Sequence, residues 1–416
     1  MAYSFVSPGE SIDVVGSSDS VIGGEPCGPA AVTLPLRSDA RVRWCCEGGC
    51  DNDAESMQIT HPQLGVIDFP VFVESSHGFG SVSGSPIVGT VDAEVAAISA
   101  LWLNLPFILA WNDRRGDHEV DLTVNGWHLT MDARPDLKTA EREARALRTP
   151  FFATHESVLT RDDGVPFTAE TGLEVLVGIQ TAISFGLGRF VAPVLPRGVD
   201  LAGKVRWEGW QDWRCDPRWG VESWLIATRR DDVKELLTRF VDSWLDEYRR
   251  PTIRYGALGS IFAHNPKPTA EAGVLLAQAE LEALAWRKLV VSGVYSAAEY
   301  KAANATDRIT EMLATCSIDT TIPDDLEALI DLATGPGTTA PQSGPGVAAW
   351  VRNRLTHPKD PTAPYEIENL IWHTKLLLLE YLDLVLLHEI GYTGGWSRLY
   401  PPGRWSGTTE LVPWAA

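Results

Sequence analysis

The sequence predicts an α+β protein in which a mainly β N-terminal region precedes an all-α C-terminal bundle. From residue 1 to about 135, short β-branched runs alternate with Gly, Ser and Pro, the punctuation of antiparallel strands. From 266 onward apolar residues recur at helical spacing. With 44% hydrophobic residues and 16 Trp in 416 residues, the chain can fill two or three cores, which excludes wholesale disorder.

The expected division is a β-rich sensor or regulatory domain over 1–200, a bridging α/β segment over 201–265, a helical domain over 266–400 and a tail over 401–416. "AAVTLPL", "VRWCC", "VIDFPVFVE", "SPIVGTVDAEV" and "HEVDLTVNGWHLTMDA" read as strands of a sandwich or a partly open barrel. "GFGSVSGSP" (78–86) reads as a loop, "DLKTAEREARALR" as a helix with basic residues on its wet faces, and "TGLEVLVGIQTAISFGLGRF" as a second helix. In the bridge, five Trp from 207 to 224 read as core filling, since no basic strip accompanies them; a helix then runs from Arg230 to a stop at Pro251.

Four or five helices follow. "PTAEAGVLLAQAELEALAWRKLVV" opens on Pro268 and Thr269, "SAAEYKAANATDRITEMLATC" and "DDLEALIDLAT" are shorter, and a long helix over about 365–390 ends at Gly391. Its run "LLLLEYLDLVLLHEI" is broken by Glu380, Asp383 and His388, so it reads as a buried helix and not a membrane span. The N-terminus lacks a signal peptide's basic and apolar regions, and a cytoplasmic protein is expected, with no membrane partner.

Net charge -20 argues against a surface that grips long nucleic acid through many phosphates, though not against one small basic pocket. Six Cys do not make a disulfide framework. Cys27, Cys45, Cys46, Cys50 and His61 lack the paired C-x2-C spacing of structural zinc, so no metal and no cofactor is expected. There is no phosphate-loop motif and no H-E-x-x-H. His118, His128 and His155 share no short-range spacing, while His373 and His388 are about four helical turns apart, too far for one site.

The basic pocket is expected in "AAWVRNRLTHPKD" (348–360). If Val347 to Thr356 is helical, Asn353 and His357 share a face, and the longer Arg352 can reach round to them. Pro358 forces the helix to end at His357, beside unpaired carbonyls. A histidine there can trade protons at cellular pH, and a guanidinium suits the charge that develops on an attacked phosphodiester. The pair can cleave RNA without metal, His357 acting on the 2′-hydroxyl or on the leaving 5′-oxygen. A satisfied Arg-Asn-His helix end is the plainer reading of the same residues.

The pattern R-N-x-x-x-H on a late helix, with "LLAQAELEALAW" before it and "LLLLEYLDLVLLHEIGYTG" after it, resembles the HEPN superfamily, in particular its ApeA-like branch. The resemblance covers roughly 266–400. It implies a metal-independent endoribonuclease used in antiphage defence, often toxic to its own cell, with a composite site across a two-fold homodimer. It carries the catalytic roles to Arg352, Asn353 and His357, and an acidic position on the first helix to Glu280 or Glu282. Arg354 and Lys359 are the neighbouring substrate-binding candidates. The expected partners are RNA, a second copy of the chain, possible higher oligomers, and a phage-derived trigger at the N-terminal region. Two other classes fit the same residues: a catalytically inactive nucleotide or nucleic-acid binding module, and a structural dimerisation protein.

Overall fold

A computed structural model of the chain describes residues 3–37, 40–108, 119–218, 223–265, 267, 269–335, 342–357, 362–401 and 406–415. It forms two compact units, Met1–Gln180 with Phe190–Trp219, and Thr181–Arg189 with Gly220–Ala416.

The first unit opens with six strands, β1 (Ser11–Ile22), β2 (Glu25–Pro35), β3 (Arg43–Cys46), β4 (Ser56–His61), β5 (Gly65–Ser75) and β6 (Phe79–Val82). They close into an antiparallel barrel in the order β1-β2-β3-β6-β5-β4. Strict alternation sets the register of β4 and β5, where Met57, Ile59, Ile67, Phe69 and Val71 point inward. Gly23 and Gly24 both have positive φ, as the tight β1–β2 turn requires.

A seven-stranded antiparallel sheet completes the unit. Its elements are β7 (Ile87–Gly89), β8 (Ala97–Leu103), β9 (Val120–Val124), β10 (Trp127–Ala133), α1 (Leu137–Leu147), β11 (Ala153–Arg161), α2 (Ala169–Leu187), β12 (Ala192–Val199) and β13 (Val205–Gly209). The strand order is β7-β13-β12-β8-β11-β10-β9. The strand stretch "HEVDLTVNGWHLTMDA" folds as a hairpin, β9–β10, turned at Asn125 and Gly126, both with positive φ. Barrel and sheet share one core: Trp44, Met57 and Phe69 cluster with Leu101, Leu103, Val194 and Trp210.

Inside that core Glu208 is fully buried and accepts hydrogen bonds from Tyr3 (2.8 Å) and Trp210 (3.1 Å). Arg197 pairs with it at 2.6 Å and stacks 3.6 Å over the Tyr3 ring. The Nδ1 of His61 accepts from the backbone of Gln63 and Leu64, which leaves Nε2 to face Glu208 at 3.4 Å. A buried carboxylate needs this many partners to stay in an apolar core.

The expected loop at 78–86 is in part a strand. At Gly80, on β6, an added Cβ would stand 2.1 Å from the Phe72 carbonyl and 2.8 Å from the Trp44 indole. Glycine is there for close approach and not for a turn. Of the expected sandwich or partly open barrel, the first six strands take the barrel form, fully closed, and a seven-stranded sheet follows them.

The second unit is an all-α bundle of α3 (Arg230–Leu245), α4 (Arg250–His264), α5 (Ala270–Trp286), α6 (Ala297–Ala302), α7 (Ala305–Thr315), α8 (Glu327–Thr334), α9 (Gly344–Thr356), α10 (Ala363–Glu366) and α11 (Leu370–Ile390). A π-helical turn, Arg287–Val291, extends α5. β14 (Gly395–Trp396) pairs with β15 (Glu410–Leu411), and Tyr400 and Val412 are buried against the bundle, so part of the expected tail is structured. The expected four or five helices are too few. Pro251 does not stop a helix but sits in the first turn of α4, where its missing N–H costs nothing. "SAAEYKAANATDRITEMLATC" divides in two because Ser296 and Asn304 each cap a helix of their own.

The centre is α11, which packs on α3, α4, α5, α8, α9 and α10. It is apolar on all sides and ends, as predicted, at Gly391 in the left-handed conformation. Nearly all of its surface is spent on the bundle's own core, with Trp372 left exposed. Among the described residues no helix is long and apolar enough to cross a membrane.

Candidate functional site

The site is built on the C-terminal half of α9. Ser343 caps the helix start, its Oγ accepting from the Gly346 N–H, and Pro345 fits the first turn. Val347, Ala348 and Val351 are buried, which turns Arg352 and Asn353 outward. The helix ends at His357, with φ -129° and ψ 79°, and the His357 N–H donates to the Asn353 carbonyl at 2.8 Å.

Arg352 is held from two sides. Its Nη1 donates to Asn353 Oδ1 at 3.1 Å, and its Nη2 stands 3.7 Å from Glu282 Oε1 on α5. The buried Gln278 donates to the same carboxylate oxygen at 3.2 Å, and the Tyr300 hydroxyl donates to the Glu282 carbonyl at 3.0 Å. Of the two acidic candidates the structure therefore brings Glu282 to Arg352. Glu280 faces α4 instead, where its side chain lies over Gly259; burial raises its carboxyl pKa and the nearby Arg287 lowers it.

His357 is exposed, and its ring makes no hydrogen bond to a described residue. Arg354 stacks 3.3 Å over the Trp350 ring. Lys359 lies outside the described residues, as does His118. The arrangement offers a part-exposed guanidinium fixed by an amide and a carboxylate, and an exposed, unengaged imidazole five residues further on.

Three other histidines are engaged elsewhere, while the exposed His77 ring makes no hydrogen bond to a described residue. His128 bonds to Asp121 at 3.0 Å, the buried His155 to Glu119 at 3.2 Å, and His373 Nδ1 accepts from the Ala328 N–H. Burial lowers the His155 pKa, against the pull of Glu119. Burial raises the Cys46 thiol to about 11 and also raises Cys50. Among the described residues no group of three or more His, Cys, Asp or Glu is arranged to hold a metal ion.

In the helical unit two further polar groupings were missed from sequence. One is a buried triplet in the bundle: Asp383 on α11 accepts from Ser260 at 2.6 Å and pairs with His264 Nε2 at 2.9 Å. The spacing of Ser260 and His264 on one face of α4 was the available signal. The other is a cleft of about 290 Å³ lined by Tyr248, Arg249, Thr252, Arg287, Lys288 and Glu389, assembled from segments with no common motif.

Comparison with known proteins gives two family models. One, described as the YopA central domain, matches residues 90–221; the other, the YopA C-terminal domain, matches residues 261–410. The barrel precedes both matches. The chain is also similar to the SPbeta prophage-derived uncharacterized protein YopA of Bacillus subtilis (strain 168), at 25% identity over 298 residues. That match takes in 70% of this chain and 65% of the relative. No solved structure matches the chain.

Proposed function

We propose that the chain is a metal-independent endoribonuclease of the HEPN kind, acting in antiphage defence, with Arg352, Asn353 and His357 as catalytic residues. One observation carries the reading: the His357 ring is exposed and unengaged, five residues after an Arg352 already fixed by Asn353 and Glu282. A purely structural helix end would bury and pair both side chains, and here only the arginine is paired.

In the proposed reaction His357 takes the proton of a 2′-hydroxyl, whose oxygen attacks the adjacent phosphorus. The P–O5′ bond breaks, leaving a 2′,3′-cyclic phosphate and a 5′-hydroxyl end. Arg352 neutralises the pentacovalent intermediate, for which a preoriented guanidinium is the suitable donor. Asn353 holds that guanidinium, and Arg354 with Lys359 meets flanking phosphates. The 5′-oxygen needs a proton as it leaves, and His357 of a second copy in a symmetric homodimer supplies it. A prophage-derived relative supports the defence setting, because a resident phage gains when a competitor's infection is halted.

The test is cleavage of end-labelled structured RNA in EDTA by the wild type, His357→Ala and Arg352→Ala, with folding checked by circular dichroism. Loss of cleavage in both variants supports the assignment. Equal cleavage by folded variants, or none by the wild type in the presence of infected-cell extract, removes it.

A further inference from the structure

We propose that the cleft at the start of α4 is a binding site for a small phosphomonoester bearing a flat ring, of mononucleotide size. The proposal stands apart from the nuclease reading and uses none of its residues.

The cleft joins three segments of the bundle: the entry to α4, the π-helical turn after α5 and the end of α11. The π turn matters because its larger number of residues per turn places Arg287 and Lys288 with Val291 and Ser292 in the lining of the cleft. Three cations and one carboxylate line the cleft, in a chain of net charge -20.

The cations are not equally satisfied. Lys288 Nζ is spoken for, at 2.6 Å from Glu389 Oε1 and 3.4 Å from His388 Nδ1. Arg249 donates to the Glu389 backbone carbonyl, closing the end of α11, and Arg287 donates to the Thr252 hydroxyl. Both guanidiniums thus bond to neutral oxygens, and neither has a carboxylate within ion-pair distance among the described residues. Glu280 acts on Arg287 only as a more distant charge.

Two uncompensated guanidiniums match a phosphomonoester, which carries about -1.5 to -2 at neutral pH and accepts forked hydrogen bonds. The volume, about 290 Å³, lies at the small end of ligand pockets and suits one nucleotide but no polymer. Tyr248, 78% exposed at the rim, presents an aromatic face on which a base can stack.

The experiment is isothermal titration of the full chain with adenosine 5′-monophosphate, adenosine and inorganic phosphate. Saturable binding of the monophosphate at one site per chain is expected, weakened about tenfold or more by Arg287→Gln, the loss typical of a charge-assisted hydrogen-bonding group. Tyr248→Ala should weaken the monophosphate more than phosphate, and Arg142→Ala, on the exposed face of α1, should change neither. Adenosine binding as tightly as its monophosphate overturns the phosphate contact. Inorganic phosphate binding as tightly as the monophosphate overturns the ring contact. Affinity unchanged in Arg287→Gln, or lost instead in Arg352→Ala, overturns the site.

Discussion

Glu282 on α5 and Arg352 on α9 stand 3.7 Å apart, so two helices distant in sequence contribute opposite charges to one surface point. The pair is part-exposed, and such pairs are worth under about 1 kcal/mol. Glu282→Gln should therefore leave the urea midpoint nearly unchanged. Under the proposed function it loosens the guanidinium and lowers kcat for RNA by about tenfold with little change in KM, since misplacing a catalytic group costs rate more than binding. An unaltered kcat would remove Glu282 from the site.

Gly344 sets how closely α9 approaches α11. An alanine Cβ there would stand 2.1 Å from the Tyr381 hydroxyl, a contact no packed structure accepts. Gly344→Ala should cost about 1–3 kcal/mol by overpacking. The Tyr381 hydroxyl has no hydrogen-bond partner among the described residues, so adding Tyr381→Phe should recover part of the loss. Denaturant melts of both variants check this, and failure of the double variant to recover anything refutes the contact.

The buried Asp383 holds Ser260 and His264 together. Asp383→Ala leaves both without their partner and should cost about 3–5 kcal/mol, the range for breaking a buried pair. A loss below about 1 kcal/mol in a guanidinium melt would mean that the triplet is dispensable.

Burial raises the Glu380 carboxyl from its ordinary 4.5 to about 7, although the Tyr400 hydroxyl, donating at 2.9 Å, and Arg398 pull it down. A raised carboxyl favours the folded state while protonated. Its contribution, on the order of 3 kcal/mol, is complete below pH 4.5 and lost as the pH rises through about 7. Glu380→Gln should flatten that part of the stability profile, and an unchanged slope between these limits would show that another group produces it.

Much of the architecture was legible because it follows periodicity. The helices α1 and α3, the strand character of β9 and β10 and the glycine end of α11 all follow simple spacing and capping rules. Strand β1 was missed because three register shifts, near Val15, Ser18 and Val21, break its alternation. Strand β12, "APVLPRGV", has two prolines and is buried on both faces for nearly its whole length, so no alternation marks it. At the candidate site, the end of α9 at His357 was written in Pro358. The choice between Glu280 and Glu282 was not, because it depends on which face of α5 meets α9 and which meets α4.

Closure of the barrel has a consequence for recognition. Six strands joined in a ring leave no unpaired edge, so a peptide cannot extend the barrel by adding a strand. In this unit, among the described residues, backbone-directed pairing is open at β7 and β9, the outer strands of the neighbouring sheet. Whatever meets the barrel wall is read by side chains alone, among them the exposed Val66, Phe72 and Phe79, and discrimination there is a matter of shape and chemistry instead of register.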